Sequence, residues 1–215
     1  MPANRVGRAR SEFERRILEA EEFLGRSKGA RHATANRRAL TISQIEWAAE
    51  TSILKMVVAS ESFFEITMAL YALGSRSPGG FRPRRLQTLT MTVPGICEVF
   101  KGDQEFVGWN SPSVVITRAE RWFRRGEPFQ STLSGASRLL GYLRKMRNAI
   151  VHQSDKSVEI YVKATRDLYG ALPRRVSPGT QLLAPPPAAI TYLVGATLFE
   201  ATVNSYRSVA RGLAP

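Results

Sequence analysis

Cysteine and histidine are scarce in this chain of 215 residues, which holds one cysteine, Cys97, and two histidines, His32 and His152. A lone cysteine excludes an intramolecular disulfide and fits a reducing, cytoplasmic compartment. Three such side chains are too few for a zinc site built from the usual ligands, so neither a metal nor a cofactor is expected. Long apolar runs are missing too. Ala188 to Val203 is apolar, but it carries Glu200 and falls short of the ~20 residues that span a bilayer. Met1 to Arg16 mixes arginines with Glu12 and Glu14 around no apolar stretch, so it does not read as a secretory signal. Membrane insertion is thereby not expected. Acidic residues are the third shortage, with 18 Asp and Glu against 31 Lys and Arg. The resulting net charge of +13 and pI near 10.7 create a field that attracts polyanions, nucleic acid first among them.

What is present is ordinary globular material, long enough for one well-buried core or for one domain with an appended arm. Residues 1–40 form a charged opening, read as a basic N-terminal arm. Ser11 to Phe23 fits a helix with Phe13, Ile17, Leu18 and Leu24 on one stripe, and Gly25 to Arg38 reads as a linker. Residues 41–215 read as one helical domain. Thr41 to Leu73 predicts a long helix whose core stripe is Leu54, Val57, Val58, Phe64 and Met68. Glu61 falls on that stripe, seven residues from both Leu54 and Met68. A carboxylate there must be paired, reach the surface or serve a site.

Gly74 to Pro83 breaks the helix, and in the stretch from Arg84 to Asn110 the signals conflict. Within it Leu86 to Val93 alternates like a strand, while Ile96 to Phe100 fits a short helix. Ser111 and Ser113 are placed to cap a helix running to about Arg125. Trp122 and Phe123 there, set among arginines, fit either core packing or base stacking. Ser131 to His152 is the clearest helix, with Leu139, Leu143, Met146 and Ile150 on one face. After it, Val158, Ile160 and Val162 alternate with polar residues like a strand, with Gln181 to Leu183 as its partner. A final helix is expected from Pro185–Pro187 to about Arg211. The fold class is therefore mainly α, a helical bundle with a small β-hairpin after the motif helix.

The stretch that carries chemistry is Leu143-Arg144-Lys145-Met146-Arg147-Asn148-Ala149-Ile150-Val151-His152. Imidazole exchanges protons near neutrality, and arginine offers a fork of donors that matches phosphate. Asn148 lies one turn before His152 and can orient the ring or bind a phosphate oxygen. These groups suit RNA cleavage by the adjacent 2′-hydroxyl, with a base to remove its proton and a cation to stabilise the charge on phosphorus. Arg147 and His152, five residues apart, differ by ~140° around an ideal helix. Either the helix loosens near Val151 or two chains bring their segments together in a symmetric dimer. The bland alternative is a helix C-terminus whose cations complement its dipole.

Arg147-Asn148-x-x-x-His152 at the end of a helix resembles the signature of the HEPN superfamily, small helical domains that include many metal-independent ribonucleases of toxin, anti-phage and RNA-processing systems. The resemblance covers roughly residues 41–215 as helix order, with Leu143-Arg144-Lys145-Met146 and the Glu61-bearing helix also similar, and against the smallest members residues 82–125 look like an insertion able to contact a partner. It implies Arg147 and His152 as catalytic, Asn148 as their polar partner, Glu61 as an acidic supporter, and a homodimer with a composite cleft. Arg144 and Lys145 are then the candidate RNA contacts. One toxin branch has a tyrosine two residues beyond the histidine; this chain has Ser154 there. The expected function is a metal-independent endoribonuclease in toxin–antitoxin or antiviral defence, held in check by an antitoxin or other regulatory protein. A non-catalytic RNA- or nucleotide-binding module, or a protein-interaction module, is the alternative.

Overall fold

Alanine, leucine and methionine at helical spacing, with no glycine or proline from Thr41 to Leu73, make a long helix the cheapest local structure there. The computed structural model describes residues 4–32, 39–103, 107–172, 174, 176–188, 190 and 193–215, and it is mainly α-helical. Among those residues run eight α-helices: α1 Arg5–His32, α2 Ile42–Ala72, α3 Val93–Lys101, α4 Pro112–Trp122, α5 Phe129–His152, α6 Asp155–Tyr169, α7 Pro178–Leu183 and α8 Leu198–Leu213. Two units partition them. Unit 1 comprises Met1–Arg15, Val58–Gly141 and Tyr206–Pro215, and unit 2 comprises Arg16–Val57 and Tyr142–Ser205. Helices α1, α2, α5 and α8 each give one part to each unit.

Unit 1 is built on aromatic packing. Phe13 of α1 stacks on Phe63 of α2 at 4.8 Å and meets Tyr206 of α8 edge-on at 5.7 Å. Each such fully buried side chain is worth roughly 1.5–3 kcal/mol of transfer free energy. The Tyr71 phenol, buried in the same core, donates to the carbonyl of Leu213 at 2.7 Å. Helix α2 ends at Ala72, and Gly74 just beyond it, at φ +87°, lets the Gly74 and Ser75 amides close back on Tyr71 and Leu70. The strand-like alternation of Leu86 to Val93 produces no strand; an isolated antiparallel bridge joins Arg85 to Phe123 instead. The short helix suggested by Ile96 to Phe100 is α3, capped by the Thr92 hydroxyl accepting from the Gly95 amide. Ser111 occupies the N-cap of α4 without a side-chain cap bond. Phe123 is fully buried and stacks on Phe129, and Trp122 packs edge-on against Phe100, so both serve packing.

In unit 2 the expected linker over residues 25–38 gives way to helix as far as His32, and residues 33–38 lie outside the described residues. Straight-chain and alanine residues favour that extension, and Glu22–Arg26 adds an i,i+4 pair at 3.6 Å. The β-hairpin is also corrected. Val158, Ile160 and Val162 belong to α6, and Gln181 to Leu183 belong to α7. The residues of α6 that enter the core are Tyr161, Ala164, Thr165 and Leu168, a spacing of three and four. Val158 and Ile160 stand 43% and 45% exposed, so the alternation that suggested a strand lies on the helix's outer side. The Ser154 hydroxyl accepts from the Ser157 amide and starts the helix, a cap worth about 1 kcal/mol. Tyr142, Tyr161 and Thr165 join their hydroxyls in a buried cluster, Tyr142 to Thr165 at 3.1 Å. The final helix opens at Leu198, well after Pro185–Pro187. Trp47 of α2 is 69% exposed.

Helix α7 is seated on α2 by two carboxylates. Glu50 accepts from the Gly179 amide at 2.8 Å, and Glu46 accepts from the Thr180 hydroxyl at 2.8 Å. Burial pushes the Glu50 carboxyl above its ordinary range, the Gly179 bond opposes this, and the neighbouring Glu46 charge adds to it. With its folded pKa raised, Glu50 binds protons more readily in the native state. Its favourable contribution is therefore full below the ordinary value of 4.5 and is lost as pH rises through the raised value. Glu50→Gln keeps an acceptor for Gly179 and removes the titration. Its melting temperature is expected to gain on wild type as pH climbs from 4 towards 8, read by thermal melts at matched ionic strength. A constant difference across that range would show that Glu50 does not titrate differently on folding.

Candidate functional site

The apolar stripe of α5 is what aims the motif. Leu139, Leu143 and Met146 are buried, and Ile150 is half-buried with Ala149 taking the last inward position. The polar side of the same helix then carries Arg144 exposed, Lys145, Arg147 and Asn148 half-buried, and His152 exposed at the terminus. By helical geometry Lys145, Asn148 and His152 share one side, within ~60° of one another.

Arg147 is held in place by its neighbour: its Nη1 donates to Asn148 Oδ1 at 3.2 Å. Its Nε is buried and meets no acceptor among the described residues. A buried guanidinium N–H without an acceptor is costly, on the order of 1–3 kcal/mol.

The helix does not loosen near Val151. Helix α5 runs to His152, and the Gln153 amide still bonds the Ala149 carbonyl at 3.3 Å in the α-helical pattern. The angular separation of Arg147 and His152 therefore stands at ~140° within the chain. Only then does the backbone turn, through Gln153 at φ 46°, a left-handed conformation that glycine adopts more cheaply. Ser154 follows at once as the N-cap of α6, so the imidazole stands at a tight junction between two helices.

Glu61 belongs to unit 1, whereas the five motif residues belong to unit 2. Glu61 is half-buried, its Oε1 is enclosed without a hydrogen-bond partner among the described residues, and its charge helps burial raise the Tyr206 phenol. Two further polar groupings were not singled out in the sequence. One is the Glu46–Glu50–Gly179 seat. The other places Arg118 over the Trp109 ring at 4.9 Å, with Glu65 close to both; burial raises the Glu65 carboxyl, a Trp109 hydrogen bond opposes it, and Arg118 opposes it further. Neither has a local sequence signal, because each joins residues distant in the chain. A groove of about 600 Å³ in unit 1, lined by residues such as Asn4, Arg8, Ser11 and Pro78, includes none of the motif residues.

No group of three or more His, Cys, Asp or Glu is placed to hold a metal ion among the described residues, and no described helix is long and apolar enough to cross a membrane. Comparison of the chain with protein-family models, curated proteins and solved structures returned no match.

Proposed function

We propose that this chain is an endoribonuclease of the HEPN type that cleaves RNA without a metal, and that it works as a cytoplasmic homodimer. The observation that carries this reading is the end of α5: an exposed imidazole at His152, with the Arg147 fork tied to Asn148 and its Nε lacking an acceptor. In the proposed reaction His152 takes the proton of the 2′-hydroxyl. The O2′–P bond forms, the P–O5′ bond breaks, and the leaving oxygen takes up a proton. The products are a 2′,3′-cyclic phosphate and a 5′-hydroxyl. Arg147 stabilises the charge on the phosphoryl oxygens, Asn148 holds the Arg147 fork, and Arg144 and Lys145 contact flanking phosphates.

Because α5 stays helical through His152, the His152 of one chain and the Arg147 of its partner are proposed to form each cleft. Glu61 is kept as an acidic supporter on the resemblance alone. A toxin or defence role, and an antitoxin as its regulator, follow from the same resemblance.

Incubation with bulk tRNA and total RNA in chelator tests the chemistry. Cyclic-phosphate ends are expected from RNA and no cutting of DNA, which has no 2′-hydroxyl. Co-expressing His152→Ala with Arg147→Ala tests the composite cleft: random pairing restores one whole site in half of the dimers, about a quarter of wild-type activity. No restoration, with both proteins dimeric, would place both residues of a site on one chain. Salt-sensitive RNA binding without any cleavage would favour the non-catalytic binding module.

A further inference from the structure

Two arginine-rich segments of unit 1 meet at the bridge between Arg85 and Phe123. The Arg124 amide donates to the Arg84 carbonyl at 2.8 Å, and the Leu86 amide donates to the Trp122 carbonyl at 2.9 Å. This pairing sets Arg84 beside the segment that carries Arg121, Arg124 and Arg125. All four are exposed, and none has an ion-pair partner among the described residues.

Their neighbours are used by the fold. Arg85 donates to the Ala72 carbonyl at the end of α2, Arg82 crowds Gly74 at the same helix end, and Arg118 covers Trp109. Of the acids in the same stretch, Glu120 is exposed and Glu127 accepts from the Ser131 hydroxyl. Arg84, Arg121, Arg124 and Arg125 have no comparable employment, and four like charges with the single exposed carboxylate of Glu120 among them leave a net positive strip.

Backbone strain at the same place is an independent sign. Arg125 sits at φ 58°, ψ 21°, in the left-handed region where glycine fits without cost, and Gly126 follows at φ 67°. An arginine kept where glycine is easier, with no hydrogen bond holding its guanidinium among the described residues, points to a use outside the fold.

We propose that this strip tracks the phosphate backbone of RNA, as a binding surface made of residues other than the α5 motif. Four planar forks in one cluster match repeated phosphates. A bilayer surface fits less well. Phe123 is buried and Trp122 is packed on Phe100, so the interleaved aromatics are not presented as interfacial anchors, and the exposed Leu86 beside them offers little apolar surface to insert. The choice of RNA as the polyanion rests on the ribonuclease reading; the arrangement of charge does not.

The test is fluorescence anisotropy of a labelled 2′-O-methyl RNA hairpin, which lacks the nucleophile and stays uncut, over a salt series. The combined variant Arg84→Gln, Arg121→Gln, Arg124→Gln is expected to bind on the order of 100-fold more weakly at ~0.1 M salt. Its plot of log affinity against log salt should be shallower by about 2 to 3. Arg125→Gly is expected to melt no lower than wild type and yet bind several-fold more weakly, which keeps the test informative should the triple variant misfold. An unchanged slope and affinity in the folded variants would overturn the strip. So would tighter, arginine-dependent binding to phosphatidylserine vesicles than to the hairpin. Strip-dependent binding in a wild-type protein that cuts no RNA would remove the ribonuclease reading alone, whereas cutting with strip-independent binding would remove the strip alone.

Discussion

His152→Ala should lower RNA cleavage by about 10²- to 10⁴-fold while leaving the fold and RNA binding almost untouched. That range is what a positioned general acid or base contributes. The separation of the two effects comes from where the side chain stands: His152 is exposed at the last position of α5, so truncation opens no cavity and strands no buried group. Its structural worth is confined to whatever a cation gains at a helix C-terminus, about 0.3–1 kcal/mol at most when charged. For a chain of this length that is a change of roughly 1–4 °C in melting temperature. The two accounts of His152 thus predict different pairs of numbers. A catalytic histidine loses turnover with little change in melting. A dipole-complementing histidine loses a few degrees and no turnover. Single-turnover cleavage of tRNA and a thermal melt of the same variant decide between them, and undiminished cleavage would remove His152 from the mechanism.

Gly179→Ala is expected to destabilise the fold by about 3 kcal/mol. An added Cβ would lie 2.5 Å from the Cβ of Glu46 and 2.9 Å from its Cα and carbonyl oxygen. Those are atoms of a neighbouring helix, not the end of a flexible side chain, so α7 must lift from α2. The lift pulls on the Gly179–Glu50 and Thr180–Glu46 hydrogen bonds together. Backbone strain adds nothing, because Gly179 does not occupy the left-handed region, and the helical preference for alanine offsets at most about 1 kcal/mol. A fall of about 6–12 °C in melting temperature is the expected reading. A variant within ~2 °C of wild type would mean that α7 gives way freely and that its seat on α2 contributes little.

The mainly α class and the three longest helical patterns were legible because each carries several turns of apolar periodicity. Of the stripe expected in α2, Val57, Phe64 and Met68 are buried, Leu54 is half-buried and Val58 is 54% exposed; in α5 Leu139, Leu143 and Met146 are all buried. Shorter signals misled. Three β-branched residues at Val158, Ile160 and Val162 alternate over too few positions to separate a strand from the outer side of a helix. The deciding signal was Ser154 with Asp155 behind it, a helix start. Likewise Ser177-Pro178 marks the start of α7, where a partner strand was expected.

At the site, the order of groups along α5 was readable, and so was the angular problem between Arg147 and His152. The Arg147–Asn148 hydrogen bond and the buried Nε depend on side-chain placement that residue spacing does not specify. Glu61 could be located on its stripe, but a stripe does not say what encloses a carboxylate. The Glu46–Glu50–Gly179 seat was invisible, since its parts are more than a hundred residues apart.

The three tryptophans divide the chain optically. Trp109 is buried and Trp122 half-buried, both in unit 1, whereas Trp47 stands in solvent on unit 2. A shift of intrinsic emission to the red on denaturation therefore reports the opening of unit 1, because Trp47 already emits from water. A chain with its unit 2 undone and its unit 1 intact would look native by that measure. Trp47 in turn serves as an indicator dye already built into α2, dark to unfolding and responsive to whatever is laid against it.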